Sequence, residues 1–218
     1  MSTTNKPLDP YLAKSSEDPP TAQKISDLKS FITATKYGML TTLSSDDELL
    51  ASRCMALAGE TSLDPILHTN LHSPKTLDLT THPHQTNINF LDPVSGAWAS
   101  LSGTAHILAD RPTVEKYYSP ALSAWFGDLG DGVHDGGPGD PRIGVIRIEV
   151  VEAVHAVARG GVLGRAVETV KSVASGDVPG VVGVRYLGRE EVGGCKSLSS
   201  LLFLDFVFLC SALLEDRG

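Results

Sequence analysis

Residues 66–103, ILHTNLHSPKTLDLTTHPHQTNINFLDPVSGAWASLSG, contain the clearest local signals of the chain. The apolar run before Asn70 predicts a strand, and a short turn then leads into Ser73-Pro74-Lys75. Serine is favoured at a helix N-cap and proline at the first helical position, so this triplet predicts the start of a helix. Lys75 then stands in the first turn, where backbone N–H groups already attract anions. We therefore expect Lys75 to need a negative partner, and a phosphate group suits that position.

Segments of strand character lie on both sides of this turn. The sequence predicts strands over residues 38–43, 49–57, 65–69, 86–91, 97–109 and 143–157, the last with alternating faces. Gly103 is expected at a bend or bulge of the fifth strand. Several short strands with few helices predict a mainly β protein with peripheral helices. They favour an antiparallel barrel over a doubly wound sheet.

The 218 residues divide into three predicted parts. Residues 1–22 are rich in Pro, Ser, Thr and Asp, which predicts a disordered N-terminal tail. Residues 23–157 contain the strand segments and form the predicted barrel domain. Residues 158–218 are predicted to be a C-terminal extension of uncertain structure, with mixed helical character over 160–175 and a glycine-rich loop over 176–194.

Two further segments have unusual composition. Residues 127–142 are rich in glycine and aspartate, which predicts a mobile loop without regular structure. Residues 198–214 are strongly apolar, but they are shorter than a typical membrane span and include Asp205. A docked or artefactual apolar helix is favoured over a membrane anchor, so we do not expect a membrane as a partner.

Charge and cysteine content narrow the possible classes of protein. A formal net charge of −8 argues against nucleic acid as a partner, because phosphate backbones need a basic surface. The three cysteines have spacings that fit neither a zinc site nor a disulfide framework, which favours a reducing compartment. The first 20 residues lack an apolar signal core, so we expect a cytoplasmic protein.

Four histidines lie close together in the sequence, at positions 68, 72, 82 and 84. No carboxylate or cysteine accompanies them at a spacing typical of a metal ligand set, so we interpret His82 and His84 as loop residues and expect no metal site. No Ser-His-Asp or Cys-His arrangement can be assigned from spacing either. The catalytic residues, if there are any, stay unidentified at this point.

Five segments, in this order and spacing, resemble a known family. They are Tyr37–Thr42, Ser52–Met55, His68–Lys75, Trp98–Gly103 and Ser123–Phe126. Together they resemble the FMN-binding split-barrel family of pyridoxamine 5′-phosphate oxidase-like proteins. Within it the chain is most similar to the general stress protein 26 branch, which includes fungal blue-light-inducible members. The resemblance implies an FMN-binding split β-barrel and a homodimer with the flavin in a groove between two subunits.

The resemblance also implies where the phosphate of FMN is held. An arginine of the second strand and a Ser-x-Lys turn after the third hold it in the family, and Arg53, Ser73 and Lys75 occupy those positions. A guanidinium fork and a helix N-terminus both suit phosphate oxygens. Without the resemblance, Arg53 would be interpreted as a surface ion-pair residue and Lys75 as a solvated lysine.

Six further positions correspond to flavin contacts of the family. The resemblance implies that Cys54, Met55 and Ala56 run under the isoalloxazine edge and bond it through their backbone. It places the Thr69 hydroxyl near the phosphate or the ring, Trp98 near the flavin of the partner subunit, and Trp125 over the site. The alternative for both tryptophans is an ordinary anchor in the core or in an interface.

The implied function is that of a flavin-dependent oxidoreductase of the general stress protein type. The alternatives are a flavin-binding stress or sensing module without turnover, and the same fold with haem or a deazaflavin. Two departures from the vitamin B6 oxidases concern their substrate. Pro74 stands where they usually have arginine, and Ala58 where they have lysine. We therefore expect flavin binding without oxidation of pyridoxamine phosphate.

Overall fold

The computed structural model describes residues 9–196. The helices are α1 Pro10–Ser15, α2 Thr21–Thr35, α3 Pro74–Thr81, α4 Arg111–Tyr117, α5 Ser123–Phe126 and α6 Val162–Ser175. The strands are β1 Tyr37–Leu43, β2 Leu50–Thr61, β3 Asp64–Asn70, β4 Thr86–Leu91, β5 Trp98–Leu108, β6 Ile143–Ala158 and β7 Val182–Leu187. A 3-10 turn, Pro120–Leu122, precedes α5, and residues 189–196 are helical.

The first six strands close into an antiparallel barrel. Their order is β3-β2-β1-β4-β5-β6, and β3 also pairs with β6, which closes the cylinder. β6 is long enough to serve two neighbours on one side, because residues 143–147 pair with β3 and residues 153–158 pair with β7. The predicted mainly β fold with peripheral helices is confirmed, and so are the six predicted strands.

The core fills the barrel from the alternate, inward-facing residues of the strands. Leu40, Leu67, Ile88, Leu101 and Ile146 are fully buried there, and α2 closes one side of the barrel with two further buried side chains. This pattern follows from the two-residue period of a strand, which sends every second side chain to the same face. A smaller apolar cluster lies outside the barrel, between β3, β6 and the α4–α5 region.

Gly103 lies at a bulge, as predicted. The register between β5 and β6 shifts between Ser102 and Gly103. A Cβ at Gly103 would lie 2.2 Å from the Glu149 carbonyl oxygen, so the two strand backbones can approach there only at a glycine.

Residues 9–22 do not form the predicted loose tail. They contain α1, and Ser16 forms a parallel bridge with Val184 of β7. The Glu17 side chain bonds Arg159 and Arg185, which attaches this segment to the end of β6 and to β7. Charged residues that look like a solvated tail in the sequence are therefore part of a tertiary ion network. Residues 1–8 lie outside the described residues.

The prediction of a loop over residues 176–194 is wrong. β7 occupies part of this range and pairs with β6, and a helical segment begins at residue 189. The strand was not predicted because Gly183 interrupts its apolar pattern. A Cβ there would lie 2.2 Å from the Glu17 carboxyl group, so a strand-weakening glycine provides room for an ion pair.

The apolar segment 198–214, for which an anchor or a docked helix was considered, lies outside the described residues. Within residues 9–196, none of the helices combines the length and apolarity needed to cross a membrane.

Candidate functional site

A cavity of about 730 Å³ lies on the outer side of β2 and β3, beneath the α4–α5 region. Residues 54–58 of β2 and residues 68–70 of β3 form its floor. Four aromatic side chains, those of Tyr37, Tyr117, Trp125 and Phe126, line it, and Lys75 lines one end. A cavity of this volume is large enough for a cofactor-sized molecule.

The cationic end of the cavity is built at the start of α3. Ser73 is the N-cap residue and Pro74 the first helical residue, as predicted. The Ser73 hydroxyl does not cap the helix, however. It donates to the Asn70 carbonyl oxygen at 2.7 Å and accepts from Lys75 Nζ at 2.9 Å. The Ser73 side chain therefore accepts no hydrogen bond from the backbone N–H groups in the first turn of α3.

Lys75 is half-buried, and no carboxylate pairs with it anywhere in residues 9–196. Burial is the main cause that lowers the pKa of its ammonium group, and the neighbouring Arg53 charge lowers it further. A cation that loses hydration and faces a second cation is destabilised until an anion arrives. This end of the cavity is electrostatically prepared for a negative group.

Arg53 approaches this end from behind the cavity wall. Its Nη1 donates to Thr42 Oγ1 at 2.8 Å, and its Nη2 lies 3.6 Å from Asp78 Oδ2. Asp78 is buried and also accepts bonds from the Thr42 hydroxyl and the Ser45 backbone N–H, each at 3.1 Å. Arg53 is thus held in place by β1 and α3. It does not line the cavity itself, but its charge reaches Lys75.

The sequence analysis did not predict that Thr42 and Asp78 belong to this site. The signal available was a carboxylate three residues after Lys75 on the same short helix. Nothing in the sequence showed that α3 lies against the end of β1, which is what brings Asp78 to Thr42 and Arg53.

The structure brings most of the predicted flavin contacts together. Cys54, Met55, Ala56, Thr69 and Trp125 all line the cavity. The Thr69 hydroxyl lies 3.1 Å from Thr76 Oγ1, which positions it against α3. The indole of Trp125 is 87% exposed, so it stands at the mouth of the cavity rather than in the core.

Trp98 lies elsewhere. It is at the start of β5, paired with Leu91 and Ala156, and does not line this cavity. Its predicted contact is with the flavin of a partner subunit, and it stays a prediction.

The segment 127–142 holds the aromatic wall of the cavity in place. It contains no helix or strand, as predicted, and its mobility stays a prediction. Its fully buried Asp140 pairs with Arg142 at 2.6 Å, and the guanidinium keeps the pKa of that carboxyl well below its usual range. Arg142 also donates to the carbonyl oxygens of Phe126 and Gly127, at 3.1 and 2.7 Å. The end of α5 is therefore fixed by a buried ion pair.

His68 is the one of the four clustered histidines that lies in a predicted strand, residues 65–69. It lies within β3, lines the cavity, and its Nε2 is 2.9 Å from the Tyr117 carbonyl oxygen. Burial lowers the pKa of the imidazole, and the bond to Tyr117 offsets this in part. His72, His82 and His84 lie outside the helices and strands. Within residues 9–196 no group of three or more potential ligands could hold a metal ion.

Comparisons with known proteins identify the family of this chain. A family model described as pyridoxamine 5′-phosphate oxidase like matches residues 23–180. The chain belongs to this family. Protein bli-3 of Neurospora crassa is 48% identical over 198 residues, which covers 89% of this chain and 94% of that protein.

Solved structures show the same fold in relatives of the family. A proposed general stress protein 26 from Jannaschia superimposes with a TM-score of 0.60 at 17% identity, covering 77% of this chain and 99% of the other. General stress protein 26 from Bacillus anthracis gives a TM-score of 0.52 at 18% identity, covering 61% and 93%. The predicted split-barrel fold is thereby confirmed, and the family model confirms the predicted pyridoxamine 5′-phosphate oxidase-like family.

Proposed function

We propose that this member of the family binds FMN in the cavity and acts as a flavin-dependent oxidoreductase. The observation that carries the proposal is the position of Lys75. It is a half-buried cation in the first turn of α3, and it has no carboxylate partner in residues 9–196. A phosphate there would satisfy Lys75, the free N–H groups of α3 and the charge of Arg53 together.

The other residues of the cavity fit the rest of the cofactor. Its aromatic side chains offer flat apolar surface, and the outer strand positions at Cys54 and Ala56 are small enough to leave the backbone of β2 accessible. No acidic side chain lines the cavity in the part of the chain that the structure describes, so nothing there would repel the phosphate. When bound, the isoalloxazine supplies the electron transfer, and the protein binds, orients and shields it.

We also propose that two copies close the site. One row of paired residues crosses the outer face of β2, β1, β4 and β5: Cys54, Met39, Asn89 and Ser100. No side chain of this row is charged, and no described helix covers it. Depletion of charge and an exposed methionine, here Met39, are typical of the centre of an interface. Because Cys54 also lines the cavity, a partner on this face would lie beside the bound flavin.

The cytoplasm is the compartment we propose for this activity. The Cys54 thiol is exposed at the cavity, and a reducing environment preserves it.

The test is a titration of the purified protein with FMN, followed by absorbance and native mass. We expect an oxidised-flavin spectrum and a mass of two 23.1 kDa chains with two cofactors. Arg53→Ala should weaken binding by roughly 1–2 kcal/mol, because its charge acts on the phosphate from behind the cavity wall and not by a direct hydrogen bond. The exposed Arg189→Ala serves as the control and should bind like the parent.

The outcome also separates the alternative functions. A haem or deazaflavin spectrum instead of a flavin spectrum would contradict the cofactor assignment. If FMN binds but is not reduced anaerobically by nicotinamide cofactors or other donors, the protein is a flavin-binding module and the oxidoreductase part of the proposal is wrong.

A further inference from the structure

The tautomer of His68 follows from the one hydrogen bond that its ring makes within residues 9–196. Nε2 lies 2.9 Å from the Tyr117 carbonyl oxygen. A carbonyl oxygen can only accept a hydrogen bond, so Nε2 must carry a hydrogen. In a neutral ring Nδ1 is then an acceptor with a free lone pair.

The surroundings of His68 favour the neutral ring. Burial lowers the pKa of the imidazole from 6.5, the value of an ordinary histidine. β6 pairs Val145 with it, and the neighbouring floor residues from β2, Ala56 and Ala58, carry no charge. The titratable side chains that share the cavity are Lys75, Cys54 and the phenols of Tyr37 and Tyr117, and none of these would stabilise an imidazolium.

We propose that His68 is a ligand-contacting residue of the cavity, whose Nδ1 accepts a hydrogen bond from an O–H or N–H group of the bound molecule. No group within residues 9–196 donates to Nδ1, although the ring lines the cavity. The inference rests on the proposed function and deepens it. FMN carries such donors in its ribityl hydroxyls and ring N–H, so the site selects a molecule with an anionic end and a donor further along.

His68 also holds the wall of the cavity in place, and protonation of the ring does not change this role. Its Nε2–H fixes the end of α4, and Tyr117 Oη, 3.0 Å from Thr61 Oγ1, adds a second attachment to β2. An imidazolium still donates from Nε2 but can no longer accept at Nδ1. Acid should therefore remove the ligand contact and keep the wall of the cavity.

The experiment compares FMN affinity across pH in the parent and in His68→Gln, whose amide can still donate to Tyr117. At neutral pH the variant should bind about twofold to tenfold more weakly, the range for one neutral hydrogen bond. The difference should disappear as the pH falls through the His68 pKa, below 6.5. Taking the ratio of the two dissociation constants cancels the titration of the FMN phosphate. His84→Gln, which alters an exposed histidine outside the cavity, should match the parent.

Three results are decisive. If the parent binds FMN but the ratio of its dissociation constant to that of His68→Gln is the same at every pH, this inference alone is overturned. A parent that does not bind FMN overturns the inference and the proposed function together. Should His68→Gln fail to fold, ¹⁵N NMR of histidine-labelled parent replaces it. An Nε2–H ring whose Nδ1 resonance shifts on adding FMN supports the inference, and an Nδ1–H ring or an unshifted resonance contradicts it.

Discussion

Two lysines of this protein are removed from water, and their surroundings are opposite. The Lys24 side chain is 5% exposed, and its Nζ lies 2.5 Å from Asp18 and 2.8 Å from Glu191. Hydrogen bonds to Asp18 and then Glu191 raise its pKa. Among the described residues, the Lys75 ammonium group bonds only the Ser73 hydroxyl, and burial followed by the Arg53 charge lowers its pKa.

The difference separates a structural cation from one that needs a ligand. Lys24 belongs to an ion cluster that joins α1 and α2 to β6, β7 and the helical residues 189–196. The members of this cluster are Glu17, Asp18, Lys24, Asp27, Arg159, Arg185 and Glu191. Each of its cations already has a carboxylate. At the cavity, Asp78 lies near Arg53 while Lys75 has none among the described residues, so one positive charge awaits an anion.

The largest predicted effect concerns acid stability of the ion cluster. His155 lies beside it and is 1% exposed, and its buried Nε2 has no hydrogen-bond partner among residues 9–196. Burial and then Arg185 lower its pKa to about 4. The unfolded chain binds this proton more readily, so the stability present above about pH 6.5 is lost as the pH falls towards about 4. We expect the protonation of His155 to lower the free energy of unfolding by roughly 3 kcal/mol over this pH range.

Denaturation with urea at a series of pH values measures this loss. His155→Phe removes the titrating nitrogen at similar volume and should flatten the profile between about pH 6.5 and about 4. An identical slope in parent and variant would show that other groups cause the acid loss.

The second prediction breaks the cluster directly. Lys24→Met keeps most of the side-chain volume but leaves the carboxylate of Glu191 without its cation. We expect the free energy of unfolding to fall by about 2–3 kcal/mol. Lys29→Met on the same helix alters a lysine for which the structure gives no ion pair within residues 9–196. It should change stability by less than about 0.5 kcal/mol. Equal effects would contradict the role of the cluster.

The smallest effect should have the opposite sign. Lys75→Met removes a charge that burial and Arg53 disfavour, so without ligand we expect stability to rise by at most about 1 kcal/mol. Thermal or urea unfolding of the cofactor-free protein measures this. A loss as large as that of Lys24→Met would mean that Lys75 is structural, and the comparison of the two lysines would fail.

Local patterns predicted the barrel and the start of α3 well. Strands with alternating faces, the bulge at Gly103 and the Ser73-Pro74 helix start depend on neighbouring residues, which the sequence shows. The order of the five resembling segments placed Cys54 to Ala56 and Lys75 at one cavity.

Long-range pairing set the limit of prediction. α1 and β7 were missed because their charged and glycine residues are explained only by partners far away, such as Glu17 and Arg185. His68 was grouped with its neighbours in the sequence, whereas its partner is the Tyr117 carbonyl, 49 residues away. Asp78 was overlooked for the same reason, since its contact with Thr42 depends on how α3 packs.

The preference for FMN over riboflavin tests the central claim most directly, because the two molecules differ only in the phosphate. We predict that the parent binds FMN at least about tenfold more tightly, and that the Arg53→Ala, Lys75→Met double variant binds both with similar affinity. Equal binding of the two flavins by the parent, or an undiminished preference in the double variant, would contradict the claim that these cations hold an anion.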